Sequence, residues 1–282
     1  MRSARMIFLL LAALFLVPWA GAATQVVNAR GALVTVAVVR TVRGAGPTAL
    51  TYSVLQPDGT LTSGWVGKTR DRLADREPSL VLGPGLDQPA LVWSRHDGQY
   101  NQVAFSRFDG KSWTETRYLT TGGVDHLHPQ AGVDGSGTGY AIWMEPIGGG
   151  RLMMAVFDPS TGTLYSSPRD ILLELARHSP PEWLRPEQTS LGDGDEGGSG
   201  GGGNDGPAVP ADGHKLSQPA GNLTLNSGCT RVAVAVAKRR SLFIGILEGG
   251  VVLKYYRSMV PVGAPDNYAS LLLESLLNQN CR

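Results

Sequence analysis

Ala90-Leu91-Val92-Trp93-Ser94 and Gly139-Tyr140-Ala141-Ile142-Trp143-Met144 carry one pattern twice, with their tryptophans 50 residues apart. The match extends outward on both sides. Phe108-Asp109 answers Phe157-Asp158 at a spacing of 49, and Pro78 answers Pro129 at 51, each proline opening the approach to a tryptophan segment. A weaker copy precedes them, with Leu33 to Arg40, then Thr51 to Leu55, then the turn Gln56-Pro57-Asp58-Gly59. Within each copy a β-branched or aromatic segment is followed by a glycine-containing turn, His96-Asp97-Gly98 or Gly148-Gly149-Gly150. A second apolar segment follows, Gln102 to Phe108 or Leu152 to Phe157, and runs into a polar turn of Asp-Gly or Asp-Pro type. Such turns reverse a chain tightly, because glycine accepts positive φ and proline presets its own. The pattern predicts hairpins in series.

Hairpins at a period near fifty residues read as propeller blades of about four strands each; a plain β-sandwich gives similar alternation. The stretch Ser106-Arg107-Phe108-Asp109-Gly110-Lys111-Ser112-Trp113 resembles a degenerate Asp box of the sialidase-like (BNR) β-propellers, whose pattern is Ser-x-Asp-x-Gly-x-Thr-Trp. Here the aspartate arrives one residue late and Ser112 stands for threonine. The resemblance covers about residues 30–168 and implies a structural turn built on Ser106, Asp109, Gly110 and Trp113, with no catalytic duty. It also implies a glycoside hydrolase as a rival function. Arg95, Arg107, Arg117 and Arg151 are available for such a site, but the family's Arg-Ile-Pro motif is missing and no catalytic residue carries over. Three blades do not close a ring, so the rest of the chain adds a sheet, or open edges await cover, or two chains close one ring together.

The ends of the chain set the compartment. Arg2 and Arg5, then the apolar run Met6 to Val17, then Ala20-Gly21-Ala22-Ala23 read as a signal peptide over residues 1–23, cut after Ala22 or Ala23. The run is too short to span a bilayer, and nothing later in the sequence is long and apolar enough to do so. The mature chain is therefore expected in the periplasm or outside the cell. Loss of the two arginines moves the formal charge from +1 to −1, which removes the usual argument for nucleic acid. In an oxidising compartment Cys229 and Cys281, the two cysteines present, are expected to pair. Residues 24–178 form the repeats. Residues 179–222, with Gly192 to Gly206 nearly all Gly, Asp, Glu, Ser and Asn, read as a disordered linker. Residues 223–282 read as a βββα segment: Val232 to Ala237, Ser241 to Leu247, Val251 to Arg257 and a helix from Tyr268 to Gln279.

The fold expectation is thus mostly β, an incomplete propeller-like array of four-stranded blades followed by a small disulfide-stapled unit. Chemistry is sparse. His126 and His128 would share one face of an extended strand, the spacing of two metal ligands, but no third ligand accompanies them and Pro129 follows. Trp93, Trp113 and Trp143 would line a sugar-binding face or fill blade cores. No cofactor is expected. The reading favours non-catalytic binding of a glycan or an envelope protein, with a sialidase-like hydrolase and an assembly subunit, homo- or hetero-oligomeric, as alternatives.

Overall fold

The computed structural model describes residues 23–41, 47–147, 150–177, 221–225, 228–238, 241–260 and 267–281. The stretch read as a signal peptide up to residue 22, most of the stretch read as a linker, Gly148-Gly149 and Arg239-Arg240 lie outside the described residues.

Four antiparallel sheets follow one another along the chain, each a meander in sequence order. The first is β1 (Ala23–Val27), β2 (Leu33–Arg40), β3 (Thr48–Leu55) and β4 (Leu61–Trp65). The second is β5 (Asp75–Val81), β6 (Ala90–His96), β7 (Asn101–Arg107) and β8 (Arg117–Tyr118). The third comprises β9 (Leu127–Val133), β10 (Gly139–Glu145), β11 (Arg151–Asp158) and β12 (Thr163–Leu164), with β13 (Arg169–Asp170) also paired to β11. A short helix, α1 (Ile171–Arg177), follows it. The fourth is β14 (Gly221–Leu225), β15 (Arg231–Lys238), β16 (Ser241–Glu248) and β17 (Val251–Met259), and the chain continues into helix α2 (Tyr268–Asn280).

The C-terminal segment therefore holds four strands where three were expected. The extra strand, β14, begins inside the stretch assigned to the linker, and its short, polar sequence Gly221-Asn222-Leu223-Thr224-Leu225 gave it no apolar run to be recognised by. Nor is the segment a separate unit. Val232, Val234 and Val236 of β15 pack into one core with Tyr140, Ile142 and Met144 of β10 and with Ile171 and Leu175 of α1. The open question of how the repeats continue is answered by a fourth blade.

Strand chemistry explains the stacking. Every residue of β10 is buried, with Ala141 and Trp143 on one face and Tyr140, Ile142 and Met144 on the other. Such a strand reads as one apolar run because both of its faces are covered. Trp93 packs with Val34, Val36 and Leu50 of the first sheet, and Trp143 with Val92, Val103 and Phe105 of the second. The two matched tryptophans thus do the same job one blade apart, filling the gap to the preceding sheet. Between the third and fourth sheets Leu225 sits over Gly132, where a Cβ would lie 2.2 Å from Leu225 Cδ1.

First strands lie side by side: β1 packs on β5, β5 on β9 and β9 on β14. This is the arrangement of propeller blades about an axis. Polar side chains satisfy the backbone along these contacts. Leu80 N–H donates to Thr24 Oγ1 (3.4 Å), Ala131 N–H to Ser79 Oγ (3.0 Å) and Leu223 N–H to Gln130 Oε1 (3.1 Å). An edge backbone group left dry and unpaired would cost about 1–3 kcal/mol.

The far side of the fourth sheet is covered by α2. Leu273 and Leu277 close over Ala233, Ala235, Leu242, Ile244 and Ile246, the small alanines leaving room for the helix. Its end is pinned. Cys281 is bonded to Cys229, 52 residues earlier, across a Cα–Cα distance of 5.5 Å. Lys254 Nζ donates to Asn280 Oδ1 (2.6 Å), and Arg231 donates to the Asn280 carbonyl. Cations at a helix C-terminus complement its dipole. By loop-closure entropy the disulfide contributes at most about 4 kcal/mol. Cys281→Ser is expected to lower the unfolding midpoint and to speed amide exchange in α2 well before β10; hydrogen exchange with mass spectrometry reads both, and equal acceleration everywhere would contradict a local capping role.

Candidate functional site

The antiparallel topology gathers the sheet-to-sheet connections and the hairpins between second and third strands at one end of the axis. Two first strands are bulged there. The register of β5 against β6 shifts between Arg76 and Ser79, and that of β9 against β10 shifts between Ile142 and Met144. At each bulge one non-glycine residue takes a left-handed backbone, Glu77 at φ 53° and His128 at φ 54°. Each directly precedes a proline, Pro78 or Pro129, and they are equivalent positions of the repeat, 51 residues apart. Strain of this kind costs on the order of 1–3 kcal/mol per residue and persists only where its surroundings demand it. Here the two residues bind each other: His128 Nδ1 lies 2.7 Å from Glu77 Oε1, and His128 N–H donates to Glu77 Oε2 at 2.7 Å.

Two buried clusters flank this pair, again at equivalent positions. In the second sheet Asp75 accepts from Trp93 Nε1 (2.6 Å) and from Arg95 Nη1 (2.8 Å), while Arg95 Nη2 also reaches Asp71. In the third, His126 takes the place of Asp75 and Glu145 that of Arg95. His126 Nε2 lies 3.2 Å from Glu145 Oε1, and Nδ1 lies 2.6 Å from Thr120 Oγ1. Trp143, the counterpart of Trp93, sits with its ring centroid 5.7 Å from the imidazole, and its Nε1–H finds no acceptor among the described residues. The reason is local. The carboxylate that serves Trp93 is replaced by an imidazole whose nitrogens face Glu145 and Thr120. Asp125 completes the end, accepting from Asn101 N–H (2.8 Å) and Asn101 Nδ2 (2.7 Å).

Burial drives the electrostatics. It pushes the Asp75 carboxyl up to about 6, against the opposing pull of Arg95 and the Trp93 hydrogen bond. It pushes the His126 imidazole below its ordinary value, with Glu145 pulling the other way. Both positions favour the neutral form for the same reason.

His126 and His128 therefore do not form the paired face expected of an extended strand. The left-handed turn at His128 breaks the alternation, and the two rings engage different carboxylates, one buried and one half-buried. Among the described residues no group of three or more His, Cys, Asp or Glu side chains is placed to hold a metal ion. Trp93, Trp113 and Trp143 are buried and line no open face.

The Asp-box-like residues lie at the opposite end. Asp109 Oδ1 accepts from Lys111 N–H and Ser112 N–H, both at 2.7 Å, and Gly110 has φ 98°. Ser106 Oγ donates to the Thr114 carbonyl (2.8 Å), and Trp113 packs on Phe108 with ring centroids 5.4 Å apart. Tyr52 joins these rings and donates its hydroxyl to the Lys111 carbonyl (3.2 Å), tying the first blade to the second. Asp158 repeats the turn one blade later, accepting from Ser160 N–H at 2.8 Å. Missed from the sequence was the axis end itself, although opposite charges at matched repeat positions (75 and 126, 77 and 128, 95 and 145) were there to be read.

No family model and no curated protein matches this chain. Solved structures do. A Hadza microbial sialidase aligns with TM-score 0.51 and 8% identity, over 86% of this chain and 47% of its own. The fold is sialidase-like. Two further solved structures align less well, an alpha-L-arabinofuranosidase from Fusarium graminearum (TM-score 0.49, 11% identity, 85% of this chain and 64% of that one) and a protein of unknown function from Dyadobacter fermentans (TM-score 0.47, 12% identity, 84% and 52%). The chain spans 47–64% of the length of these three proteins.

The buried aspartate makes a signed prediction. Between the ordinary carboxylate value of 3.8 and about 6, folded Asp75 holds a proton that the unfolded chain has released. Stability through this group is therefore present at the acid side and falls as pH rises through that window, by up to about 3 kcal/mol. Relative to Asp75→Asn, the wild type is expected to lose stability between pH 4 and 6.5 in urea unfolding; a difference that grows with pH would contradict the assignment.

Proposed function

We propose that this chain is an exported, non-catalytic binding module that takes a glycan or protein partner at the axis end. One observation carries the reading: the carboxyl groups collected there are engaged by protein partners, with exposed Asp97 accepting from the Gln99 and Tyr100 N–H groups of its own hairpin. Asp71 and Asp75 serve Arg95, Glu77 serves His128, Glu145 serves His126, and Asp125 serves Asn101. Acid–base hydrolysis of a glycoside needs two carboxyl groups flanking the scissile bond with room for a sugar between them. Here Asp75 and Glu145 are buried inside the blades, and fold alone does not assign chemistry. Exposed at this end are Arg72, Arg76 and the His128 ring, donors suited to hydroxyl and carboxylate groups of a ligand, together with the acceptors Asp71 and Asp97. The disulfide and the leader support an oxidising, extracytoplasmic setting.

Glycan-array binding and turnover of fluorogenic glycosides, run on the same preparation, separate the readings. The module is expected to bind saturably and to leave every glycoside intact. The double variant Arg72→Ala/Arg76→Ala is expected to weaken binding at least tenfold with an unchanged melting temperature. Turnover abolished by Glu77→Gln would replace this reading with a glycosidase.

A further inference from the structure

Four buried side chains at the axis end form one hydrogen-bonded chain, Gln102, Thr120, His126 and Glu145. Its polarity is fixed at one end. Gln102 Nε2 donates to the Gly122 carbonyl (2.9 Å), so the Gln102 oxygen faces Thr120 and accepts the Thr120 hydroxyl proton (3.1 Å). Thr120 Oγ1 itself accepts from Val103 N–H (2.9 Å). A hydroxyl has one proton to give, and Gln102 takes it. The 2.6 Å contact between Thr120 Oγ1 and His126 Nδ1 is therefore made by a proton on Nδ1. A neutral imidazole carries one proton, so none remains on Nε2 for the 3.2 Å contact with Glu145 Oε1. The three contacts from Gln102 to Glu145 need three protons, and threonine, neutral histidine and carboxylate together supply two. The chain closes only with one proton more, held between Nε2 and Oε1.

We infer that these side chains form a proton-operated latch: with the extra proton His126 and Glu145 hold the start of β9 to the end of β10, and without it the bare Nε2 and the carboxylate part. Burial drives the proton off below the ordinary histidine value of 6.5, against Glu145, Asp125 and Asp97, which surround the ring and favour the charged form. The other charged groups on the elements packed here are committed elsewhere or exposed. On β6, Arg95 serves Asp71 and Asp75, and His96 Nδ1 accepts from Gly98 N–H. On β5, Glu77 serves His128, and Arg76 is exposed. β14 brings no charge. The latch is thus closed in acid and open near neutrality. Arg95, at the place in the second blade that Glu145 takes in the third, keeps its charge throughout this range, so the device belongs to the third blade. His126 lies two residues from the strained His128. Release of the imidazole therefore changes the end at which the partner is placed, and binding there is expected to differ on the two sides of the transition. That consequence, unlike the latch itself, rests on the binding reading.

Nitrogen NMR of histidine-labelled protein from pH 5 to 8, the range in which histidine switches, tests the latch, with amide exchange followed alongside. Both His126 nitrogens are expected to be protonated in acid, with one transition below 6.5 and the remaining proton on Nδ1 above it. Amides of the Leu127–Met144 pair are expected to exchange severalfold faster above the transition, once base catalysis is divided out. Glu145→Gln supplies the third proton from its own amide. It is expected to keep these amides protected across the whole range and to abolish their pH dependence, a rescue that a plain ion pair would not show. A neutral His126 protonated on Nε2, a transition at or above 6.5, wild-type exchange indifferent to pH, or a Glu145→Gln protein that exchanges as fast as the open wild type would overturn the latch. If that variant fails to fold, the wild-type tautomer and transition decide. Glycan-array binding at the two pH extremes reads the consequence separately: a latch that titrates while binding is absent or constant removes the binding reading at this end and leaves the latch standing.

Discussion

A β-strand that is apolar on both faces cannot end a structure; it must be covered twice. β6, β10 and β15 are strands of this kind, and the architecture follows from satisfying them one after another. The second and third sheets each bury one face on their predecessor and the other on their successor, with a large aromatic from the later blade filling each of the first two gaps: Trp93, then Trp143. Repetition postpones the problem without solving it. Beyond the fourth sheet the chain changes secondary structure, and a helix with apolar residues on one side covers the face that another sheet would otherwise cover. Alanines 233 and 235 beneath it are what let a helix approach where a sheet would otherwise lie.

At the axis the requirement is opposite. First strands have a sheet partner on one side only, and their other backbone edge meets the neighbouring blade. Threonine, serine and glutamine side chains supply the missing hydrogen-bond partners. Where the strands approach the connecting loops the ladder is interrupted by bulges, and charged pairs replace backbone pairing. The Glu77–His128 pair follows from the same need as the hydrogen bonds below it, matching polarity across a blade boundary, while Asp75–Arg95 and His126–Glu145 close the ends of their own blades.

This division explains what was legible in the sequence. Trp93 and Trp143, the Phe-Asp turns and the alternation of Val232 to Ala237 announce themselves because core packing and tight turns are encoded within a few adjacent residues. The first strands do not. Arg76-Glu77-Pro78-Ser79 and Leu127-His128-Pro129-Gln130 have the composition of loops, and they are strands because a neighbouring blade gives their polar groups partners. β14 was hidden in the same way, at the edge of a glycine-rich stretch. The pairing of His126 and His128 on one face followed from ideal strand geometry, and a single residue at φ 54° undid it. The helix boundaries and the disulfide, by contrast, rest on local apolar spacing and on the count of cysteines, and both were readable.

The second and third blades descend to the same plan yet carry inverted polarity at three matched positions: acid, acid and base in one, base, base and acid in the other. Had the copies stayed identical, Glu77 would face a second glutamate, and the boundary between the blades would repel. Divergence of this kind turns interchangeable modules into a fixed order. Neither β1 nor β14 carries a charged residue, so a chain that docked those blades out of order would leave Glu77 or His128 facing no opposite charge, and the single cross-blade pair favours the native sequence of blades.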